Sequence, residues 1–506
     1  MQSSFLNVIR AAAFGAALVS AGSASAGTLA IQNKGRFPIA CTADGWTTGT
    51  TGTKVFIAPS GGEIRIDIAP SDTDKTLGWL QCGGVLFPQL KMTADGPDRT
   101  LVLTGLQTRA LKVALYPYLP TDPTVGFGPL LAHVVATYQQ QNPQVVLDAV
   151  MTDVGIYDFG TLPPLLQAGG YDVMELDMLY LGFLAEQKLL NPAALSQQTA
   201  LPVSTAAATY NGVLYGIPSW LCMDFLFTND TDFASVTSLD ALVATMPRAP
   251  NGGMALVGDF NGSWRLPSIY LNAFVQRYGY GSIAKAFDGP IDPATIGDLK
   301  TLTTQCATVT LTGNPCINGT IHKDDGTNPG ASERIFAAGS ATADIGFSER
   351  SYFIAKAGQP IPTTIIPVPW GNNPQSLLFA DSFVTSAANC ATGSPCATDA
   401  TAFTDMMTGL PMRNYIVQAQ DLGNGSPWRT LLVSNAAFYQ QPEIMNNRLY
   451  QQVSKVFEAA QPFPNQFTAQ AQTDMAQGVC RGLKAVTTYE CKTGANVPAP
   501  IAGLQP

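Results

Sequence analysis

Nine cysteines stand at Cys41, Cys82, Cys222, Cys306, Cys316, Cys390, Cys396, Cys480 and Cys491. An odd number cannot all pair. Close spacing suggests Cys306 with Cys316, Cys390 with Cys396 and Cys480 with Cys491, and Cys41 and Cys82 fall together near the N-terminus. Cys222 is left over, at the end of the run Tyr215-Gly-Ile-Pro-Ser-Trp-Leu-Cys222. A free thiol is a hazard where thiols oxidise, and chemistry is the usual reason to keep one: its thiolate is a nucleophile. The competing reading is an inert thiol in a core, because free cysteine is among the most buried residue types. A nucleophile also needs a base. Histidine is scarce, with His133 and His322 in unrelated contexts and no Gly-x-Ser-x-Gly run beside either. A Ser-His-Asp triad and a His/Cys zinc site are therefore not expected, and a carboxylate is the expected base.

These residues must be positioned by a chain of 506 residues with net charge −9. Residues 1–26 read as a signal peptide: Arg10, an apolar run from Ala11 to Val19, and the small-residue site Ala24-Ser25-Ala26. No cysteine follows that site to carry a lipid, and no later stretch is apolar enough to span a membrane. Export to a secreted or periplasmic location is expected. Scattered acidic charge without a Lys/Arg-rich run excludes nucleic acid and anionic membrane as partners.

Residues 27–108 alternate with period two, as in Glu63-Ile64-Arg65-Ile66-Asp67-Ile68, between Gly/Thr/Ser clusters such as Thr47 to Thr53. That pattern predicts a small antiparallel β module stapled by Cys41–Cys82. From Leu111 the rhythm changes to strand, helix, strand, helix, strand. Leu111–Leu115, Gly128–Gln141, Val145–Val150, Leu162–Ala168 and Tyr171–Asp177 fill those places. This is the α/β pattern of a parallel sheet. Further strands are expected at Thr342–Phe347 and Thr363–Val368. Further helices are expected at Ser268–Tyr278, Pro293–Gln305, Asp399–Met407 and Pro442–Ala460, with a loose Pro-rich tail over 496–506. Residues 109–495 thus read as two α/β lobes around a cleft. Sites in such folds lie at strand ends and domain interfaces, which would gather Tyr116–Tyr118, Asp172–Asp177, Tyr215–Cys222 and Gly346–Glu349.

Five segments in order carry a resemblance. They are Lys112-Val-Ala-Leu-Tyr-Pro-Tyr-Leu-Pro120, Asp172-Val-Met-Glu-Leu-Asp177, Tyr215 to Cys222 with Phe225-Leu226-Phe227 after it, Ile345-Gly-Phe-Ser-Glu349, and Phe379-Ala-Asp381. Over about Leu111 to Leu483 the chain resembles the thiamine pyridinylase (thiaminase I) family, with its two-lobe, type 2 periplasmic-binding-protein-like fold. The resemblance implies that Cys222 is the nucleophile and Glu349 the general base. It implies a pyrimidine- and thiazolium-binding cleft lined by Tyr116, Tyr118, Asp177, Phe347, Phe379 and Asp381. Phe347 and Phe379 stand where the family carries aromatic hydroxyls, so stacking is kept and a phenol hydrogen bond is lost.

The implied reaction displaces the thiazole of thiamine with an amine or thiol through a covalent Cys222–pyrimidine intermediate. Thiamine is substrate, no cofactor or metal is signalled, and the protein is expected to act as a monomer. Blander readings exist for each residue. Glu349 could be a solvated strand-end acid, with Arg350 beside it lowering its pKa. Tyr116 and Tyr118 could be a turn pair, each Asp a cap, and Asp172 a structural group. The rival class is an exported solute-binding protein for thiamine or a similar heterocycle. It needs the cleft and the aromatics but neither a free thiol nor a facing carboxylate.

Overall fold

A computed structural model describes residues 28–483, leaving out 35–38, 45–53, 68–78, 83–84, 89–98, 104–108, 143, 153–155, 196–199, 248–252, 307–313, 318–320, 322–329 and 374. The expected signal peptide, the 496–506 tail, the Thr47–Thr53 cluster, His322 and Cys491 lie outside the described residues.

The N-terminal region forms two small sheets. One runs Glu63–Asp67, Thr28–Asn33, Arg99–Leu103, and the other Lys54–Ala58, Ile39–Asp44, Trp79–Cys82, Val85–Pro88. The expectation of an all-antiparallel module is corrected, because Thr28–Asn33 and Arg99–Leu103 run parallel. The chain between them passes through the second sheet, and a long excursion permits parallel pairing where a hairpin cannot. Cys41 and Cys82 face each other across paired strands and are disulfide-bonded. They sit in a core of Leu29, Ile31, Ile39, Leu80 and Leu101, which Val146 of the next region joins.

The larger region is built on two sheets. We number its strands β1 (Arg109–Leu115), β2 (Val145–Met151), β3 (Val173–Asp177), β4 (Gly216–Cys222), β5 (Phe225–Thr228), β6 (Met254–Gly258), β7 (Ala341–Gly346), β8 (Thr364–Pro367), β9 (Leu377–Thr385) and β10 (Leu432–Val433). The first sheet has the order β10-β4-β9-β3-β1-β2, with Gln461–Pro462 paired to β9. The second has the order β6-β7-β5-β8. β1, β2 and β3 are parallel as the rhythm predicted, but β9 is antiparallel to both β3 and β4, so the sheet is mixed. The returning strand enters from the other lobe, not through a helical crossover. β3 is buried at all five positions, as expected of a strand in the middle of a covered sheet.

The chain passes between the sheets within two residues, Met223 and Asp224, and returns over residues 368–376. Each sheet with its helices makes one lobe. The sequence expectations hold for the helix Gly128–Gln141, and the helix Arg265–Tyr278 begins a few residues before the expected start. The single helix expected over Pro442–Ala460 is instead Pro442–Met445, Arg448–Val453 and a 3₁₀ turn Ser454–Val456. The break falls at Asn446–Asn447, where the Asn447 side chain accepts from the Leu449 and Tyr450 amides and starts a new helix. The expected helix at Leu162–Ala168 stops at Leu166.

Disulfides join Cys306 to Cys316 and Cys390 to Cys396, and Cys480 is also disulfide-bonded. Among the described residues no helix is long and apolar enough to cross a membrane.

One buried ion pair ties the first lobe together. Arg429, just before β10, makes two 2.6 Å bonds to Asp421, and both side chains are fully buried. The same guanidinium donates to the Ile416 carbonyl and to the carbonyl of Pro120 in the loop after β1. Removing one partner of a buried pair leaves an uncompensated charge, at a typical cost of about 3–5 kcal/mol. Asp421→Ala is therefore expected to lower unfolding free energy by about that amount in a urea titration. A loss under 1 kcal/mol would show that water reaches this pair.

Candidate active site between the lobes

Strand register decides which side chains share a face. Asp177 of β3 faces Asp381 of β9, and Glu175 faces Phe383. Residues two apart on a strand point the same way, so Glu175, Asp177, Phe379, Asp381 and Phe383 line one side of the sheet. Continuing the β4–β9 register from Pro218 opposite Ser382 would set Cys222 opposite Leu378, on the other side. A register shift between Pro218 and Leu221 sets it opposite Phe379. That irregularity aims the thiol into the acidic row, a common use of β-bulges beside active sites. The Cys222 sulfur lies 4.0 Å from Asp381 Oδ2, and Cys222 is the free cysteine among the described residues.

Glu349 arrives from the second lobe. It stands at the N-cap position of the helix Arg350–Lys356, which follows β7, without a side-chain capping bond, and the Ser348 hydroxyl lies 3.4 Å from its carboxylate. Gly346 leaves room for the Arg350 side chain to pass, since a Cβ there would come within 2.0 Å of Arg350 Nε. Arg350 itself reaches past the glycine to bond Glu333 and Ser332. It opposes the rise in the Glu349 pKa without cancelling it, and burial dominates to hold the Glu349 carboxyl above its ordinary value.

The electrostatics follow from burial. Asp177 is pushed up to about 7 by desolvation, against hydrogen bonds from the Leu179 amide and the Tyr157 hydroxyl. Asp381 is raised well above its usual range by burial and by the charges of Asp177, Glu175 and Glu349. Burial likewise raises Glu175, opposed by Arg413. Burial and then the charge of Asp381 lift the Cys222 thiol far above a free cysteine, with Glu349, Asp177 and Asp224 adding to it. Four acids and a thiol thus share a poorly hydrated strip, and they bias it toward a protonated thiol.

Aromatic residues form the walls. Tyr116 and Tyr118 lie edge to face at 5.4 Å, with Tyr118 the more exposed. Their planes are 63° apart, so the two rings do not sandwich a flat group between themselves. The Tyr116 hydroxyl is 2.8 Å from that of Tyr157, which in turn reaches Asp177 Oδ2 at 3.4 Å. Phe347 and Phe379 meet edge to face at 6.0 Å. One face of Phe379 is covered by Phe463, stacked at 4.0 Å.

The structure therefore brings together Cys222, Asp177, Asp381, Phe379 and Phe347, with Tyr116 linked through Tyr157 and Glu349 within electrostatic reach of the thiol. It does not bring in Asp172, which accepts from the Lys112 amide at the far end of β3. The Asp172 carboxyl and the sulfurs of Cys390 and Cys396 lie within 4.8 Å of one another. Those sulfurs are bonded to each other, so they offer no thiolate to a metal. His133 is remote, stacked on Tyr415 at 3.7 Å.

Sequence reading missed Glu175, Tyr157, Asp224, Arg265 and Arg413. Arg265 holds Asp224 at 2.6 Å on the crossing and lies 5.5 Å from the Phe347 ring centre. Arg413 lies fully buried with its guanidinium 3.8 Å above the Trp220 ring. Only Glu175 carried a usable signal, two residues before Asp177 in a strand.

This arrangement defines a two-lobe α/β protein of the periplasmic-binding-protein type. T. maritima MalE3, solved with maltose, superposes with TM-score 0.54 at 15% identity over 75% of this chain and 96% of that one. Among such folds the chain is similar to thiaminase I in both sequence and structure. Thiaminase-1 of Paenibacillus thiaminolyticus is 29% identical over 183 residues, 33% of this chain; the match spans 41% of that protein's length. Thiaminase I from Bacillus thiaminolyticus superposes with TM-score 0.58 at 22% identity, covering 74% of this chain and 99% of that one. Clostridium botulinum thiaminase I in complex with thiamin gives 0.56 at 18%, covering 73% and 99%. No protein-family model matches the chain.

A raised thiol pKa has a measurable sign. At pH 8 Cys222 should carry less thiolate than an ordinary cysteine, whose pKa is about 8.5. Iodoacetamide should alkylate it slowly, with a rate still climbing past pH 9. Asp381→Asn removes the largest opposing charge, lowers the thiol pKa and should speed alkylation at pH 8. Equal rates in the two proteins would mean that Asp381 does not act on the thiol.

Proposed function

We propose that this chain degrades thiamine by displacing its thiazole with an amine or thiol. The observation that carries the reading is the free Cys222 thiol pointed into a buried acidic strip at the crossing between the lobes, with Glu349 of the second lobe within electrostatic reach. A cationic thiazolium beside Asp177 and Asp381 would offset the charge crowding that burial imposes. Its arrival would also lower the Cys222 pKa, by the same Coulomb argument with the sign reversed. The aminopyrimidine can lie against Phe347, Phe379 and Tyr116 and give its amino hydrogens to a carboxylate.

In this reading the Cys222 sulfur bonds to C6 of the pyrimidine while Glu349 takes the thiol proton. The dearomatised ring then expels the thiazole: the bond from the methylene to the thiazolium nitrogen breaks, and its electron pair leaves the thiazole neutral. Glu349 passes the thiol proton to solvent, and the incoming amine or thiol then bonds to the exposed methylene while Glu349 takes its proton, to return it to the departing thiolate. The carbon–sulfur bond to Cys222 then breaks and restores the aromatic ring. One difficult displacement becomes two easier steps. A Glu349 pKa raised by burial brings base and thiol closer to a matched pair, which favours proton transfer.

The second reading, a solute-binding protein, draws on the fold shared with a maltose-bound relative. It leaves the thiol and its acidic row without a task. Export of the mature chain from about residue 27 is part of the proposal, as is a β-rich N-terminal module over 27–108.

Purified protein incubated with thiamine and an excess of an amine should release free thiazole over many turnovers, at a rate that rises with the amine. Thiamine recovered intact in a fixed ratio to protein would favour the binding-protein reading. Cys222→Ser should abolish turnover while keeping thiamine binding. Glu349→Gln preserves shape and should lose about 10²–10⁴-fold in rate, the usual contribution of a general base. Unchanged turnover in Glu349→Gln would remove Glu349 from the mechanism.

A further inference from the structure

The helix Arg350–Lys356 belongs to the second lobe, where Arg350 bonds Glu333 and Ser332 of the adjacent helix Ala331–Ala337. Yet both of its ends are held by the first lobe. In its first turn the Ser351 hydroxyl donates to the Thr430 hydroxyl at 2.8 Å. In its last turn Lys356 Nζ meets Asp122 Oδ2 at 2.7 Å. Thr430 precedes β10, and Asp122 lies in the loop after β1. The buried Arg429 guanidinium joins these two anchor points, because Arg429 immediately precedes Thr430 in the chain and donates to the carbonyl of Pro120, two residues before Asp122. Tyr352, buried between the two contacts, feels the charges of Lys356, Arg429, Asp122 and Asp421.

Thr430 also has φ +56° while it is buried, a conformation that is unfavourable for a β-branched residue. Such strain persists where surrounding contacts over-determine it, and glycine would adopt this backbone at less cost. The hydroxyl is what threonine supplies and glycine does not.

We propose that Thr430 and Asp122 are positioning residues: they clasp the helix Arg350–Lys356 at both ends when the lobes close, and so deliver Glu349, its N-terminal cap, to Cys222. This rests on the reading of Glu349 as the base. Opening the lobes must part both contacts at once, and closing them must bring the carboxyl to one place. The Lys356–Asp122 half is partly exposed and sensitive to salt, whereas the Ser351–Thr430 half is buried.

The test combines a charge exchange with a scattering measurement. Lys356→Glu sets two acids against each other. It should raise the radius of gyration of the ligand-free protein in small-angle X-ray scattering and lower kcat several-fold. Adding Asp122→Lys to Lys356→Glu rebuilds the pair in reverse and should restore both. Thr430→Gly should keep or raise the melting temperature by relieving the backbone, yet lower kcat by several-fold. A purely structural role for Thr430 predicts the reverse, a variant as active as the wild type. Singles and double with the same radius and kcat as wild type would overturn the clasp. If the wild type itself left thiamine intact, the scattering result would still decide the clasp, and only the assigned function would fall.

Discussion

The constraint on which this molecule depends is the burial of several acids in one strip with little cationic charge beside them. Glu175, Asp177 and Asp381 lie on neighbouring strands facing one way, and Glu349 adds its charge from the other lobe. Desolvation alone would favour their neutral forms. Arg413 is the fixed counter-charge. Among the described residues it has no hydrogen-bond partner on any guanidinium nitrogen, and it rests on the Trp220 ring with its pKa pulled down by burial to about 10. A cation held by an aromatic face and by field, not by a bidentate salt bridge, moderates the strip without locking any one carboxyl.

The lobes follow from the same constraint. On the proposed function, a strip like this must be shielded from water to matter, yet a substrate must reach it. Placing it where the chain passes between sheets in two residues satisfies both needs. Asp224, in that crossing, is held by Arg265, which also lies beside Phe347. The crossing, the aromatic wall and the second lobe are thereby linked through one guanidinium.

Much of this was legible in the chain. Counting cysteines isolates Cys222 without any structure, and strand–helix alternation gives the first lobe up to β3. Periodicity could not show that β9 returns antiparallel, because pairing direction depends on a crossing far away in sequence. Nor could it show the register shift at Pro218–Leu221, which decides the side on which Cys222 points. Asp177 and Asp381 were singled out only through resemblance, since an isolated aspartate reads equally well as a cap; Asp177 in fact also caps the turn after β3. Arg413 and Arg265 were invisible, because their meaning lies in contacts to rings far away in the chain. The helix read across Pro442–Ala460 failed for a local reason: a paired Asn–Asn step restarts a helix where helical periodicity continues.

The acidic row beside Cys222 also bears on how long the protein lasts. Peroxide and disulfides attack thiolates, not thiols, and a thiolate that reaches sulfenic acid can go on to states that do not revert. A sulfur kept protonated by its neighbours is therefore shelved in a chemically quiet form while the cleft is empty. The burial and the neighbouring charge that hold it as a thiol also make it durable. On the proposed function, a cationic guest would release it only for the interval in which there is something to attack.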